Sequence, residues 1–598
     1  MYDNEEKQFE KFSENTFAKN VDRFNFEETL QEIEQNINKA NFISIDTEMT
    51  GLSSGLSNNL ELYDSMESRY EKIKDSATKF QVLQYGLGLF FFNSLTKRYE
   101  VQAYNFYTFQ NFHKNLGNEF KSAKNLIEKR HCFLSQAGSI SFLSEQNFDF
   151  NRCFSRGINF LNKTEVNLVK QEVLGKERCD SPLLIIEEED VRFVNKATEE
   201  ISNWLQNSNS KSLQIDAPSS YHRRLLHEQV KLKYNGYCAT EGKEGCVIVK
   251  KLTKEEKKNS LNNDLKFEVT LRQLIGFSQV IDLVVKSKKP VVGHNLYLDL
   301  CHTLHHFLED LPSNFSEFKI LVSKYFPLIF DTKFICTDPA VMEFFSNSNL
   351  GEASAAVRKS PFLNPLIESP FGEEGELHDA SYDAYITGYL FLKLFGKILK
   401  FGLDEDGSRE VDYNLEAVKT YNGKLFLMKS DYDCLNLFGE DDIPDRSNVF
   451  HLYDSPQKLN YSDLNKKFKN FGKIYFRPEQ NQNKIFENGS SCNSVAHEVE
   501  NKYNCFFKLR DTTKINSFKK SFGLCENGDD TDRLRNDEGE LVEFDFKIET
   551  YESYLNRSRE LSGCGERPKK RKRNLSLVIE DDLISETSET GKNDNCTF

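Results

Sequence analysis

Asp46 and Glu48 close a short apolar run as Ile45-Asp-Thr-Glu. Residues i and i+2 of a strand point to one face, so two carboxylates at the end of that run are aimed into one space. Like charges held that close call for a counterion, and a divalent cation with oxygen ligands is the simplest. A further carboxylate comes with Pro290-Val-Val-Gly-His-Asn-Leu-Tyr-Leu-Asp299. A Val-Val strand there runs into an apolar helix expected over residues 295–308, and on it Asn295 and Asp299, four residues apart, share a face. The third group is His378-Asp-Ala-Ser-Tyr-Asp383, at the start of another expected helix. A spacing of five separates two helix positions by about 140°. His378 and Asp383 can therefore face one site only if His378 lies on the loop just before the helix. Singly, each group has an ordinary explanation: a strand end meeting solvent, a paired Asp, a helix cap.

In combination and in this order they are harder to explain away. Four carboxylates can hold two divalent ions about 3.5–4 Å apart, a pair that activates a water and stabilises both oxygens of an in-line phosphoryl displacement. Mg2+ suits an all-oxygen set that leaves waters in place. A neutral His378, titrating near physiological pH, could take the proton from that water. The pattern resembles the DEDD exonucleases, in the subgroup with a histidine five residues before the last Asp. A zinc site from His302 and His306, at i and i+4, finds no third ligand in the sequence.

The elements that must position these groups can be read along the 598 residues. At roughly 150 residues per domain the length suggests about four domains. Hydrophobic residues make up 38% and include 50 Phe, enough for real cores. The net charge of −15 excludes a protein that grips nucleic acid by overall positive charge, though not one with a local basic groove. No apolar run approaches a membrane span, and no secretory signal is expected. The 13 Cys are scattered without a C-x-x-C, which reads as a reducing compartment. Residues 1–40 carry Phe9, Phe12, Phe17, Leu30 and Ile33 near helical spacing, and residues 41–46 read as a strand. More strands are expected over 79–92 and 101–109. Helices follow over 187–205 and 217–233, then a strand over 246–251 and a hydrophilic bridge over 253–264. A helix is expected from about Ser381 to Leu399, an acidic linker over 404–411, and a strand–helix–strand unit from Val449. Residues 477–500 read as a loop insertion, and the polar tail from about 553 as disordered.

The flanking text narrows the resemblance. Phe80-Gln-Val-Leu-Gln-Tyr-Gly-Leu-Gly, Tyr104-Asn-Phe-Tyr-Thr-Phe, Ser139-Ile-Ser-Phe-Leu, Phe330-Asp-Thr-Lys and Tyr382-Asp-Ala-Tyr-Ile-Thr-Gly resemble the poly(A)-specific ribonuclease family over about residues 25–510. The resemblance implies that Asp46, Glu48, Asp299 and Asp383 bind two Mg2+ and that His378 is the general base. It also implies that Lys333, Met49 and Leu52 lie near the terminal nucleotides. Arg223-Arg-Leu-Leu-His227 is similar to the Arg-x-x-x-His signature of a small single-strand nucleic-acid-binding domain inserted in that family's nuclease. Residues 424–509 resemble the family's RNA-recognition-motif domain, whose sheet stacks bases on aromatic rings. Phe450, Tyr453, Phe506 and Phe507 are the candidates, of which strand alternation should place half in the core. Two departures stand out. Family members that bind the 5′ cap use a Trp in this domain, whereas the single Trp here is Trp204, in the insertion. Thr47 replaces the Gly between the first two carboxylates, with its side chain expected to face away.

The resulting expectation is an α/β ribonuclease H-like exonuclease domain with a mixed central sheet, in two parts (1–180 and 253–402). A small α/β single-strand-binding domain interrupts it at 181–252. A linker (403–446), an α+β RNA-recognition-motif-like domain (447–552) and a disordered tail (553–598) follow. In that tail Lys569, Lys570, Arg571, Lys572 and Arg573 form a basic run suited to nuclear import. The expected activity is 3′-to-5′ exoribonuclease action on single-stranded RNA, foremost on poly(A) tails. The alternatives are 3′-end trimming of small noncoding RNA and a catalytically silent RNA-binding scaffold. A homodimer follows from the resemblance alone. Nucleus and cytoplasm are the expected locations, with no membrane partner.

Overall fold

The computed structural model describes residues 16–55, 58–111, 121–174, 188–234, 237–362, 364–371, 377–400, 410–456, 461–478, 503–524 and 546–561. The chain forms two units, Met1–Pro444 and Asp445–Phe598. The first contains strands β1 (Phe17–Val21), β2 (Phe42–Met49), β3 (Val82–Asn93), β4 (Arg98–Tyr107), β5 (Ser212–Asp216), β6 (Cys238–Lys243) and β7 (Cys246–Lys251). It continues with β8 (Val291–Gly293), β9 (Ile329–Asp331), β10 (Leu366–Ile367), β11 (Lys424–Leu425) and β12 (Leu435–Asn436).

The main sheet runs β1-β4-β3-β2-β8-β9, with β10 also on β4. β2, β8 and β9 are mutually parallel, β3 is antiparallel to β2 and β4, and β1 is parallel to β4. The sheet is mixed, as expected. It is buried on both faces, which is why β3 reads Val-Leu-Gln-Tyr-Gly-Leu-Gly-Leu-Phe-Phe-Phe rather than as a clean alternation. One face packs Ile43, Ile45, Leu87 and Leu89 against Leu296 and against Leu300 and Leu304 of the helix Tyr297–Phe307 that follows it. The other packs Phe42, Phe90 and Val101 against Ile386, Leu390 and Leu394 of the helix Ala380–Ile398. That helix lies very close. A Cβ at Gly86 would overlap the carbonyl of Ala380, and one at Gly388 would overlap the Phe90 ring.

The insertion is a three-stranded antiparallel sheet, β5-β7-β6, covered by helices Glu188–Asn207 and Ser220–Tyr234. Trp204 belongs to its core, with Ile201, Leu226, Val230, Val247 and Val249. The chain leaves the main sheet and returns to it side by side: Phe160 bridges Gly276, and Phe277 N donates to Asn159 O at 2.8 Å.

Three expectations for this unit are corrected. Phe17 lies in β1, not in a helix, because the free edge of β4 recruits it. The bridge at 253–264 is the start of the helix Lys254–Ile275. Lys- and Glu-rich sequence has high helix propensity, and Phe267, Leu271 and Leu274 give the helix an apolar stripe. The described part of the linker, from residue 410, is docked on the domain built around the main sheet. Leu425, Leu427, Leu435 and Leu437 join its core, and the fully buried Arg69 donates to the carbonyls of Glu61, Met428 and Lys429.

The second unit has β13 (Val449–Ser455), β14 (Ile474–Pro478), β15 (Tyr503–Leu509) and β16 (Lys547–Thr550) in the order β14-β15-β13-β16, all antiparallel. Helices Tyr461–Lys467 and Ile515–Ser521 make the sequence βαββαβ. Phe450 and Phe507, expected to stack on bases, are fully buried against Phe468 and Phe518. Pleat alternation sends them to the core face and His451, Tyr453 and Phe506 to the other. That other face is covered as well. The helix Tyr551–Leu561 lays Tyr554 on His451 and Phe506, at 4.6 and 5.0 Å between ring centroids, and Arg557 over Tyr453 at 4.5 Å. Residues 553–561, expected in a disordered tail, are thus helical. The basic run at 569–573 and residues 479–500 of the loop insertion lie outside the described residues.

Candidate active site

β2 carries Asp46 and Glu48 near its C-terminal end, on the face turned to the helix Ala380–Ile398. Opposite Asp46 stands Gly86, whose missing side chain leaves room for the helix start. Asp383 sits one turn into that helix. Asp379 caps it, accepting from Ser381 N at 3.0 Å and Tyr382 N at 3.2 Å, and Gln84 Oε1 accepts from Ala380 N at 3.0 Å. His378 lies outside the helix, as its spacing requires. Its left-handed backbone (φ 70°) turns its own N–H to Asp383 Oδ2 at 3.0 Å. A carboxylate oxygen of Glu48, a ring nitrogen of His378 and a carboxylate oxygen of Asp383 all lie within 4.8 Å of one another.

Asp299 arrives from the opposite layer, in the first turn of the helix Tyr297–Phe307. Asn295 does not share a helical face with it. Asn295 is a left-handed residue (φ 59°) in the turn ahead of the helix. Asp331, fully buried at the end of β9, fixes that turn. Its carboxylate accepts from the N–H groups of Asn295 (2.9 Å), Leu296 (3.2 Å), Lys333 (2.9 Å) and Phe426 (2.9 Å). Thr47 faces away from Asp46 and Glu48, as expected, yet its hydroxyl donates to Asp299 Oδ1.

Burial, and then the neighbouring carboxylates of Asp383 and Asp299, hold Asp46 and Glu48 well above the usual carboxylate range. Burial likewise pushes Asp299 and Asp383 up to about 7. Asp383 Oδ1 is buried without a donor among the described residues. Mutually repelling carboxylates with an unsatisfied buried oxygen form a donor set that hard divalent cations would complete. Burial lowers the pKa of His378, keeping the imidazole neutral. Phe142, on the helix Ala137–Glu145, meets its ring edge-on at 4.6 Å and is 40% exposed.

The other expected site residues are more scattered. Met49 is buried, whereas Leu52 is exposed near the same strand end. Lys333 is half-buried, its Nζ 3.3 Å from Ser348 O and over the Phe426 ring. In the insertion, Arg223 donates to Ala217 O at 3.4 Å and His227 Nδ1 is 2.6 Å from Thr240 Oγ1. His302 and His306 stack at 5.4 Å between centroids, but no third ligand joins them among the described residues. Sequence reasoning missed Asp331, Asp379, Gln84, Phe142 and the bond from Thr47. Only Asp379 left a local signal, as an Asp just before a helix.

A family model described as CAF1 family ribonuclease matches residues 21–391, a span that includes all five clustered side chains. The chain belongs to the CAF1 ribonuclease family. Poly(A)-specific ribonuclease PARN of Xenopus laevis is 31% identical over 488 residues, covering 76% of this chain and 74% of that one. The human protein of the same name is 31% identical over 484 residues, covering 76% and 73%. The pre-piRNA 3′-exonuclease trimmer of Bombyx mori is 27% identical over 441 residues, covering 71% and 80%. As a ribonuclease of this family the chain is a hydrolase that cuts RNA. Among the described residues no helix is long and apolar enough to cross a membrane.

Proposed function

We propose that the chain is a Mg2+-dependent 3′-to-5′ exoribonuclease that shortens poly(A) tails and releases 5′-AMP. The observation that carries this is the gathering of four carboxylates and a neutral imidazole at the C-terminal end of β2 in a chain of this family. Asp46, Glu48, Asp299 and Asp383 would hold two divalent ions, which supply water activation and charge stabilisation at the phosphorus. His378 accepts the proton of the attacking water on a ring nitrogen. The water oxygen bonds to phosphorus as the P–O3′ bond breaks, the departing 3′-oxygen takes a proton from solvent, and a 5′-mononucleotide is released. Exposed Phe142 and Leu52 would flank the terminal bases at the mouth. We read the nuclease core as ribonuclease H-like and the insertion as the Arg-x-x-x-His single-strand-binding domain. The βαββαβ order supports an RNA-recognition-motif-like third domain. Homodimerisation rests on the family. The basic run at 569–573 supports import into the nucleus, and we place the chain in nucleus and cytoplasm.

Likeness to the silkworm trimmer supports a second reading, 3′-end trimming of small noncoding RNA. Timed digestion of 5′-labelled 20-mers of A, U and mixed sequence, with Asp46→Ala as control, separates the two. A 3′ ladder fastest on A supports the deadenylase, and equal rates on all three favour the trimmer. Retained RNA binding without any Mg2+-dependent product would leave an RNA-binding scaffold.

A further inference from the structure

The strand register sets up a row that leads away from the catalytic carboxylates. Glu48 pairs with Gln84, and Gln84 with Tyr107. Val21, the last residue of β1, pairs with Phe106, so the turn beginning at Asp22 stands beside Tyr107. Directly paired residues share a face. The row therefore crosses the sheet on the side that holds Asp383 and His378, from β2 to its edge at β1. Three strand spacings of roughly 4.8 Å make this about 14 Å. Asn105 ties the row to the His378 loop, donating to Asp379 Oδ2 at 2.7 Å and to Asn20 Oδ1 at 3.1 Å.

The far end of the row is cationic and aromatic. Arg152 lies over the Tyr107 ring at 5.1 Å and pairs with buried Asp22 at 3.0 Å. Beyond it Phe24 is 69% exposed, with Arg23 over its ring at 4.6 Å and Arg156 at 5.7 Å. The Arg23 N–H donates to Arg156 O at 2.9 Å, which holds the two residues together. Both arginines are exposed, and neither guanidinium forms an ion pair with a described residue. In a chain of net charge −15, two arginines with no ion-pair partner among the described residues, braced on an exposed ring at the sheet end that bears the site, form a local anion-binding ledge.

We propose that Arg23, Phe24 and Arg156 bind the phosphate backbone of the single-stranded substrate about four nucleotides from its 3′ end, at 3.4 Å per stacked nucleotide. This rests on the exoribonuclease reading above. The ledge binds any sequence, because guanidinium groups contact phosphate and the ring offers only a stacking surface. It makes a minimum RNA length part of substrate selection.

The test compares the full-length Arg23→Ala/Arg156→Ala variant with wild type on ApA, too short to reach the ledge, and on 5′-labelled A10. The expected result is a fall of about 10-fold in kcat/KM on A10, mostly in KM, with ApA turnover unchanged. The slope of log KM against log salt should drop by about 1.4, two phosphate contacts at roughly 0.7 each. Arg23→Lys/Arg156→Lys should recover most of the loss. Equal falls on ApA and A10, or none on either, would overturn the proposal. So would a loss on A10 that tracks dissociation of an oligomer in light scattering, which would make the patch a protein interface. If wild type cleaves neither RNA, the exoribonuclease reading fails by itself. Fluorescence anisotropy with labelled A10 and A3 then decides the ledge, which requires the variant to lose affinity for A10 alone.

Discussion

The Thr47 hydroxyl donates a hydrogen bond to Oδ1 of Asp299, joining side chains 252 residues apart in sequence. The residue between the two strand carboxylates thus orients a third, which enters from the other side of the sheet. If Asp299 holds a divalent ion as proposed, its hydrogen-bond partner should contribute about 10–100-fold in metal affinity or activity. Thr47→Val, which keeps the shape and removes the donor, should raise the Mg2+ concentration for half-maximal rate by about that factor. Thr47→Ser should stay near wild type. A Mg2+ titration of both the rate and the thermal midpoint checks this.

Asp383 is buried among like charges and is pushed up to about 7. A carboxyl whose folded pKa lies above its unfolded value stabilises below the unfolded value, near 4, and loses that contribution as pH rises through the folded one. The metal-free protein should therefore lose stability between about pH 4 and 7 relative to Asp383→Asn. At pH 7.5 in EDTA the variant should melt about 2–5 °C higher while being inactive. Mg2+ should narrow the gap by stabilising the wild type more. A lower midpoint for the variant in EDTA would contradict this account of a carboxyl destabilised by burial and like charge.

Gly86 lets the helix Ala380–Ile398 sit against β2 and β3. Gly86→Ala should displace Ala380 and with it His378 and Asp383, lowering kcat at least 100-fold, since misplacement of about 1 Å costs that much. Gly138, with open space around its Cβ position, is the control: Gly138→Ala should stabilise by about 0.5–1 kcal/mol and leave turnover unchanged.

His302 is fully buried, and its ring nitrogens have no partner among the described residues. Burial lowers its pKa to about 3. A histidine depressed in the folded state withdraws stability as pH falls below its unfolded value near 6.5. His302→Leu should flatten the acid limb, its unfolding free energy gaining on wild type by up to about 1.4 kcal/mol per pH unit between pH 6 and 5. Parallel melting curves across that range would refute this origin.

The elements that carry the carboxylates were legible because their signals are local. β2 ends in Asp-x-Glu, the helix Ala380–Ile398 is apolar along its length, and His378 must precede it. What escaped depends on distant chain. Asp331 matters only because a turn 36 residues upstream folds onto it. The aromatic residues of β13 and β15 were the right set, but alternation gives two possible parities, and the sequence does not say which faces the helices. The helix Tyr551–Leu561 was hidden by its polarity. It is held by Tyr554 on a sheet face and by the Arg557–Glu549 pair.

The meeting of Phe160 with Gly276, where a Cβ would strike the Asn159 carbonyl, has a thermodynamic meaning. The two chain ends flanking the insertion are already adjacent when the nuclease is folded. A folded body spliced between such ends adds little loop-closure entropy to its host, because the cost grows only with the logarithm of the length enclosed. The nuclease can thus gain, lose or exchange this module at small energetic penalty, and sequence change can accumulate there without disturbing the carboxylates.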